Sequence, residues 1–269
     1  MDARDKIKED DYMIINNNIS ALNTRNQLFI TNTAAGKSME KLSSGKRINR
    51  AADDAAGLSI SEKMRAQIRG LQQAARNAQD GISLIQTAEG ALDEVSNMLV
   101  RLKELAVQKA NGTYNEDDIE NLELEMDSLG DEIDNIFETT KFNGKVILTT
   151  SVTIVISDDG KTALTISATP TDDIVGLDST VTVSGIEEAI KAVNKARATY
   201  GAKQNRLEST VRNLKTTAEN LQAAESRIRD TDMAEEMSNF TKYSILIQAG
   251  TAMLAQANMA PQSVLALLR

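Results

Sequence analysis

Carboxylates are abundant among the side chains of this chain with reaction chemistry to offer: Asp and Glu number 39, whereas histidine and cysteine are absent. A carboxylate pair acting as general acid and base needs one member whose pKa is pushed up by burial or by a like charge. No Asp or Glu here is singled out in that way. Without a thiol there is no cysteine nucleophile and no disulfide framework, and without imidazole the commonest base and metal ligand is missing. The expectation is a protein that is not an enzyme and uses no cofactor or metal.

The charge balance narrows the partners. A net charge of -9 and an isoelectric point near 4.8 argue against nucleic acid, which needs clustered Lys and Arg to neutralise phosphates. Aromatic residues make up only 3% of the chain, so its core must be aliphatic. The opening MDARDKIKEDDY is too rich in charge for a secretory signal peptide. The uncharged run from Ser244 to Leu268 is long enough to cross a bilayer, but Gln248, Gln256, Asn258, Pro261 and Gln262 interrupt it, so no membrane insertion is expected.

The elements that must position any site are mostly helical. Pro occurs only at Pro170 and Pro261, leaving long helices free to run. Near the start, Ile15, Ile19, Leu22, Phe29 and Thr33 recur at helical spacing in a segment whose only charge between Met13 and Gly36 is Arg25. KLSSGKRINRAADDAAG follows as a connector. Beyond it Met64, Ile68, Leu71, Ala75, Ala78, Ile82 and Ile85, then Leu92, Val95, Leu99, Leu102 and Ala106, step by fours and threes. Such alternation averages 3.5 residues and marks a coiled-coil seam. Asn111-Gly112 breaks this helix, and Asn115 with Asp118 opens another carrying Ile119, Leu122, Met126, Leu129, Ile133 and Ile136. Its outer face is acidic, with no Lys or Arg between Lys109 and Lys141; it is either solvated or a docking site for something basic.

The period then changes. Val152, Ile154 and Ile156 alternate with polar residues, Asp-Gly supplies a turn, and Leu164 and Ile166 resume the alternation, so a β-hairpin is expected, with Val181–Val183 as a candidate extra strand. Ser184 and Glu187 are spaced as a capping box for a last long helix through Ile190, Val193, Tyr200, Leu207, Val211, Leu214, Ala218, Leu221 and Ile228. The expected fold is mainly α: a long antiparallel helical coiled-coil rod with a small β-hairpin region at about 140–184 and paired N- and C-terminal helices. Two charge-poor helices paired with each other still leave apolar surface in water, and its parsimonious cover is further copies of the same chain. Ile15, Ile19, Leu22 and Phe29 at one end, and Ile247, Leu254, Val264, Leu265 and Leu268 at the other, are the candidate self-assembly residues.

The sequence resembles the bacterial flagellins. MIINNNISALNTRNQL, KLSSGKRINRAADDAAGLSISEKMRAQIRG, NAQDGISLIQTAEGALDEV, RLKELAVQKANGT and FNGKVIL occur in that family's order. So do GAKQNRLESTVRNL, NLQAAESRIRDTDMAEEMSNFTK and MLAQANMAPQSVLALLR. The likeness covers roughly residues 13–147 and 185–269. It implies a motility filament subunit that is secreted unfolded through the flagellar type III export apparatus and lies outside the cell. Residues 13–56 and 229–269 would form an inner-tube domain and 57–228 an outer-tube domain, with only the hairpin region in the variable position. The implied partners are other copies of the chain, an export chaperone on the C-terminal segment, the filament cap and the hook-junction proteins. The resemblance also implies recognition by Toll-like receptor 5, at Arg101 and Leu105 in RLKEL and Glu125 in LELEM. Leu105 lies off the seam four residues after Arg101, so the two are expected to share an exposed face, which could instead pack on a neighbouring subunit. Residues 1–12 depart from the family pattern, as an upstream start, a cloning remnant or a genuine extension. The rival readings are a hook-filament junction protein of the same axial family and a secreted coiled-coil membrane translocator.

Overall fold

The computed structural model describes residues 18–169 and 174–267. Its elements, in chain order, are α1 (Ile19–Ser44), α2 (Ala55–Lys109), α3 (Glu116–Thr139), β1 (Lys141–Phe142), β2 (Lys145–Val146), β3 (Val152–Val155), β4 (Ala163–Ile166), α4 (Val183–Arg229) and α5 (Met233–Leu267). The expectation of a mainly α fold with a small β region holds. The chain divides into two compact units: residues up to Glu62 together with those from Ala224 onward, and Lys63–Ala223.

In the unit spanning 63–223, α2 and α4 run antiparallel. Asp93 meets Arg197 at 2.9 Å and Lys103 meets Glu187 at 2.9 Å, so residue numbers fall on one helix as they rise on the other. Ile85, Leu92, Val95, Leu99, Val193 and Leu207, all read from the seam, are fully buried. Ala88, not Glu89, takes the ambiguous step. Each buried Leu or Ile contributes roughly 1.5–3 kcal/mol, so this seam alone is a sufficient reason for the helices to associate. On α3, Met126, Ile133 and Phe137 face the core, and Ile136 is displaced to its edge. The backbone N–H of Asn115 donates to Asp118 Oδ2 at 3.5 Å at the start of α3.

The β region is two hairpins. Asn143 (φ 49) and Gly144 (φ 77) both adopt positive φ between β1 and β2, the turn that matches strand twist and that an Asn-Gly pair accepts readily. β3 pairs with β4 in the register Val152↔Ile166, Ile154↔Leu164, which puts Ile154, Leu164 and Ile166 on the core face. Two expectations are corrected. Residues 181–183 form no strand, because Val183 already begins α4. Ser184 therefore sits inside the helix rather than capping it. Thr182 Oγ1 instead accepts the Gly185 N–H at 3.4 Å, and Glu187 turns to Lys103.

The other unit pairs α1 with α5, also antiparallel. Asn18 Nδ2 donates to the Ala257 carbonyl at 2.7 Å, and Lys41 meets Glu236 at 3.6 Å at the opposite end. Gly45 (φ 69) ends α1 and donates to the Lys41 carbonyl, and the connector then anchors Ile48 in the interior. Arg47 holds this connector to the end of α4, donating from its backbone to Arg229 O and from its side chain to Ile228 O, both at 2.7 Å. Asp232 caps α5, accepting from Ala234 N at 2.9 Å.

Candidate functional site

The α1 side of the seam between α1 and α5 is made mostly of small side chains. The covered positions of α1 are Ala21, Thr24, Leu28, Thr31, Ala35, Ser38 and Leu42, spaced by threes and fours, and only Leu28 and Leu42 are large and apolar. The hydroxyls of Thr24 and Thr31 donate to the Ser20 and Gln27 carbonyls of their own helix at 2.8 Å. They are thus satisfied without a partner across the seam, and only their methyl and methylene surface has to pack. Opposite them Tyr243, Ile247, Gly250, Leu254 and Ala257 are half-buried at the same spacing. A Cβ added at Gly250 would stand 3.1 Å from Leu28 Cδ1. With so little between them, the backbones approach within 8 Å along the pair, whereas α2 and α4 are held farther apart by Leu, Ile and Val.

The consequence is an inverted helix pair. Large apolar side chains that would usually fill a seam are turned outward: Ile19, Leu22, Phe29, Ile30 and Met39 on α1, and Met237, Ile245, Leu246, Met253 and Met259 on α5. Phe29 is 73% exposed and Met253 61%. So many exposed large apolar side chains on one antiparallel helix pair exceed the single scattered apolar residues of an ordinary surface, which makes the pair a candidate for association.

Of the predicted assembly residues, Ile19, Leu22 and Phe29 lie on this outward face. Ile247 and Leu254 lie in phase with Gly250 and are half-buried, leaving part of each side chain exposed. Ile15 and Leu268 lie outside the described residues, as do the side chains of Val264 and Leu265. Periodicity missed Ile30, Met39, Ile245, Leu246, Met253 and Met259, because α5 is apolar almost all round and offers no stripe to read.

The second predicted site lies on α2 and α3. Arg101 Nε and Nη2 donate to Glu125 Oε1 at 3.0 and 2.8 Å, and Nη1 reaches Glu104 at 3.2 Å. These hydrogen bonds, Glu125 first, hold the guanidinium even further into its charged form. Leu105 is the correction here. It is 1% exposed, buried with Leu102, Ala106, Met126 and Ile186, so it supports Arg101 from beneath rather than sharing an open face with it. Part of the acidic face of α3 is also committed within its own unit. Glu123 pairs with Lys109 at 2.6 Å, Asp127 accepts from Ser179 N at 2.7 Å, and Asp134 accepts from Gly176 N at 3.0 Å. Among the described residues no helix is long and apolar enough to cross a membrane.

Comparison with known proteins assigns this architecture. Residues 15–153 match the bacterial flagellin N-terminal helical region and 183–268 the bacterial flagellin C-terminal helical region. The chain belongs to the bacterial flagellin family. It is 53% identical to a flagellin of Halalkalibacterium halodurans and 49% identical to a flagellin of Bacillus subtilis; each alignment covers 96% of this chain and all of the relative. A flagellar filament 31.3 kDa core protein of Treponema maltophilum is 48% identical over the same shares. The two flagellin regions contain all five described helices, and the residues between them, 154–182, hold the end of β3 and all of β4. Flagellins are structural proteins, in keeping with a site made of packing surface.

Proposed function

We propose that the chain is the repeating structural subunit of a flagellar filament, serving motility, and that the outward face of α1 and α5 is where neighbouring copies pack. The observation that carries this is the exposure of large apolar side chains on the helix pair: Phe29, Ile30, Ile245 and Met253 are exposed, while most covered positions of α1 are Ala, Thr or Ser. Exposing such side chains costs hydrophobic free energy in a lone subunit, and association recovers it at roughly 25 cal/mol per Å² of apolar area removed from water. Printed names of the relatives, flagellin and flagellar filament core protein, support the same reading. The test is seeded polymerisation of the full-length protein followed by electron microscopy. Filaments from the parent protein, and none from Phe29→Glu at the same concentration and helical content, are the expected result; a parent that stays monomeric under seeding overturns the proposal.

Family membership supports several further roles in this reading. The subunit travels unfolded through the flagellar type III apparatus to the cell exterior, with an export chaperone covering the apolar C-terminal segment before assembly. It adds to the filament beside the cap and hook-junction proteins. Arg101 and Glu125 form a polar contact for Toll-like receptor 5, with Leu105 fixing the helix surface under them. Both charged groups are half-exposed, as a contact residue must be. Surface plasmon resonance with the receptor ectodomain tests this: Arg101→Ala should weaken binding of the free subunit, and unchanged binding removes Arg101 from the contact.

A further inference from the structure

The described methionines divide sharply by unit. Met39, Met233, Met237, Met253 and Met259, all of the α1–α5 unit, range from 47% to 61% exposed. Met64 and Met98 of the other unit are half-buried and Met126 is fully buried. The α1–α5 unit thus carries, exposed, five of the eight described methionines. Leu or Ile, which build the buried seam of α2 and α4, would supply comparable apolar area, so area alone does not call for thioethers. What distinguishes Met is a polarisable, adaptable side chain that two-electron oxidants convert into a polar one. The chain has no cysteine to intercept such oxidants first.

We propose that these five methionines are a reversible oxidation site through which peroxides switch off self-association of the free subunit. This rests on the filament reading above. The reaction is an oxygen transfer: the thioether sulfur attacks one peroxide oxygen, an S–O bond forms as the O–O bond breaks, and the remaining oxygen leaves as water with the two peroxide protons. Sulfur loses two electrons and the peroxide gains them. The product sulfoxide carries a strong dipole that must keep hydrogen bonds to water, so it opposes burial against a neighbour's apolar side chains. The α1–α5 seam contains no methionine among its covered positions, so the helix pair itself survives oxidation. Once subunits are packed, the same thioethers are covered, and the switch acts before assembly and not after it.

The experiment treats full-length monomer with hydrogen peroxide, maps sulfoxides by peptide mass spectrometry and measures the critical concentration for seeded polymerisation. Sulfoxide should form at the five outward positions ahead of Met64, Met98 and Met126. The critical concentration should rise about tenfold or more with circular dichroism unchanged, and methionine sulfoxide reductases of both epimer specificities should restore it. A variant with all five replaced, M39L/M233L/M237L/M253L/M259L, should polymerise in peroxide as it does without; should that variant not fold, the single variants M253L and M259L should each reduce the rise. Unchanged polymerisation of the oxidised parent, or equal sensitivity of the leucine variants, overturns the proposal. Failure of the untreated parent to polymerise strikes instead at the filament reading.

Discussion

The two units solve the packing of helices in opposite senses. In residues 63–223, Leu, Ile and Val at 3.5-residue spacing point inward, and only a few large apolar residues such as Val107 and Leu124 are left exposed among charged and polar ones. In the α1–α5 unit the same spacing exists twice over: a stripe of Ala, Thr and Ser points inward, and one of Ile19, Leu22 and Phe29 points outward. One unit is complete as it stands. The other stores its hydrophobic free energy for contacts it does not make alone, since only the slim seam offsets the entropy of ordering two helices. On the proposed reading, folding and association are encoded in different parts of one chain.

Breaking that division gives the sharpest tests. Met253→Glu combined with Phe29→Glu should abolish filament formation outright by electron microscopy, with thermal unfolding of the monomer unchanged. Leu99→Ala, in the inward core, should do the reverse: it should cost about 2–5 kcal/mol in urea denaturation, while any protein that remains folded still polymerises. Adding bulk to the slim seam is the intermediate case. Ala35→Leu should destabilise the α1–α5 unit by about 1–3 kcal/mol although it adds apolar surface, because α5 has no room to receive it; a stabilised protein would show the seam to be loosely packed. Gly130→Ala should cost about as much within the other unit, because its Cβ would fall on the Leu177 carbonyl.

The smallest effect concerns pH. Glu40 is held below its ordinary pKa of 4.5 by hydrogen bonds from Asn49 and Arg50, and Asp53 below 3.8 by the Arg50 and Asn49 backbone N–H groups. Both pKa values are depressed by folding, so their contribution to the connector is fully present above those ordinary values. It is lost as pH falls through the lower folded ones. Amide exchange at residues 45–54 should therefore rise on acidification below about pH 4, and Asp53→Asn should remove much of that dependence.

Spacing alone revealed the seam of α2, α3 and α4 and the hairpin of β3 and β4, because there the large apolar residues are the buried ones. Around Leu105 it failed for a geometric reason. A two-helix seam predicts one stripe, but α3 and α4 both cover α2 there, and Leu102, Leu105 and Ala106 are all enclosed. In α1 the periodicity was visible and its direction was not. A stripe of Ile, Leu and Phe looks the same whether it meets its own chain or another, and the stripe that does face α5, Ala21 through Ser38, has too little hydrophobic contrast to register. The Val181–Val183 strand was lost to the same kind of ambiguity: three residues of high β propensity were overridden by helix initiation at Thr182.

A helix face of small, alike side chains, as α1 turns to α5, has one more property: it is poor at measuring length. Large knobs on α5, Tyr243, Ile247 and Leu254, lie against α1, where Ala, Thr and Ser repeat every three or four residues and offer shallow holes of nearly equal size. What tells one alignment from the next are the polar marks at the two ends, Asn18 on the Ala257 carbonyl and Lys41 with Glu236. The helix pair is ruled like a vernier, with an even scale along its middle and its zero set by two end stops.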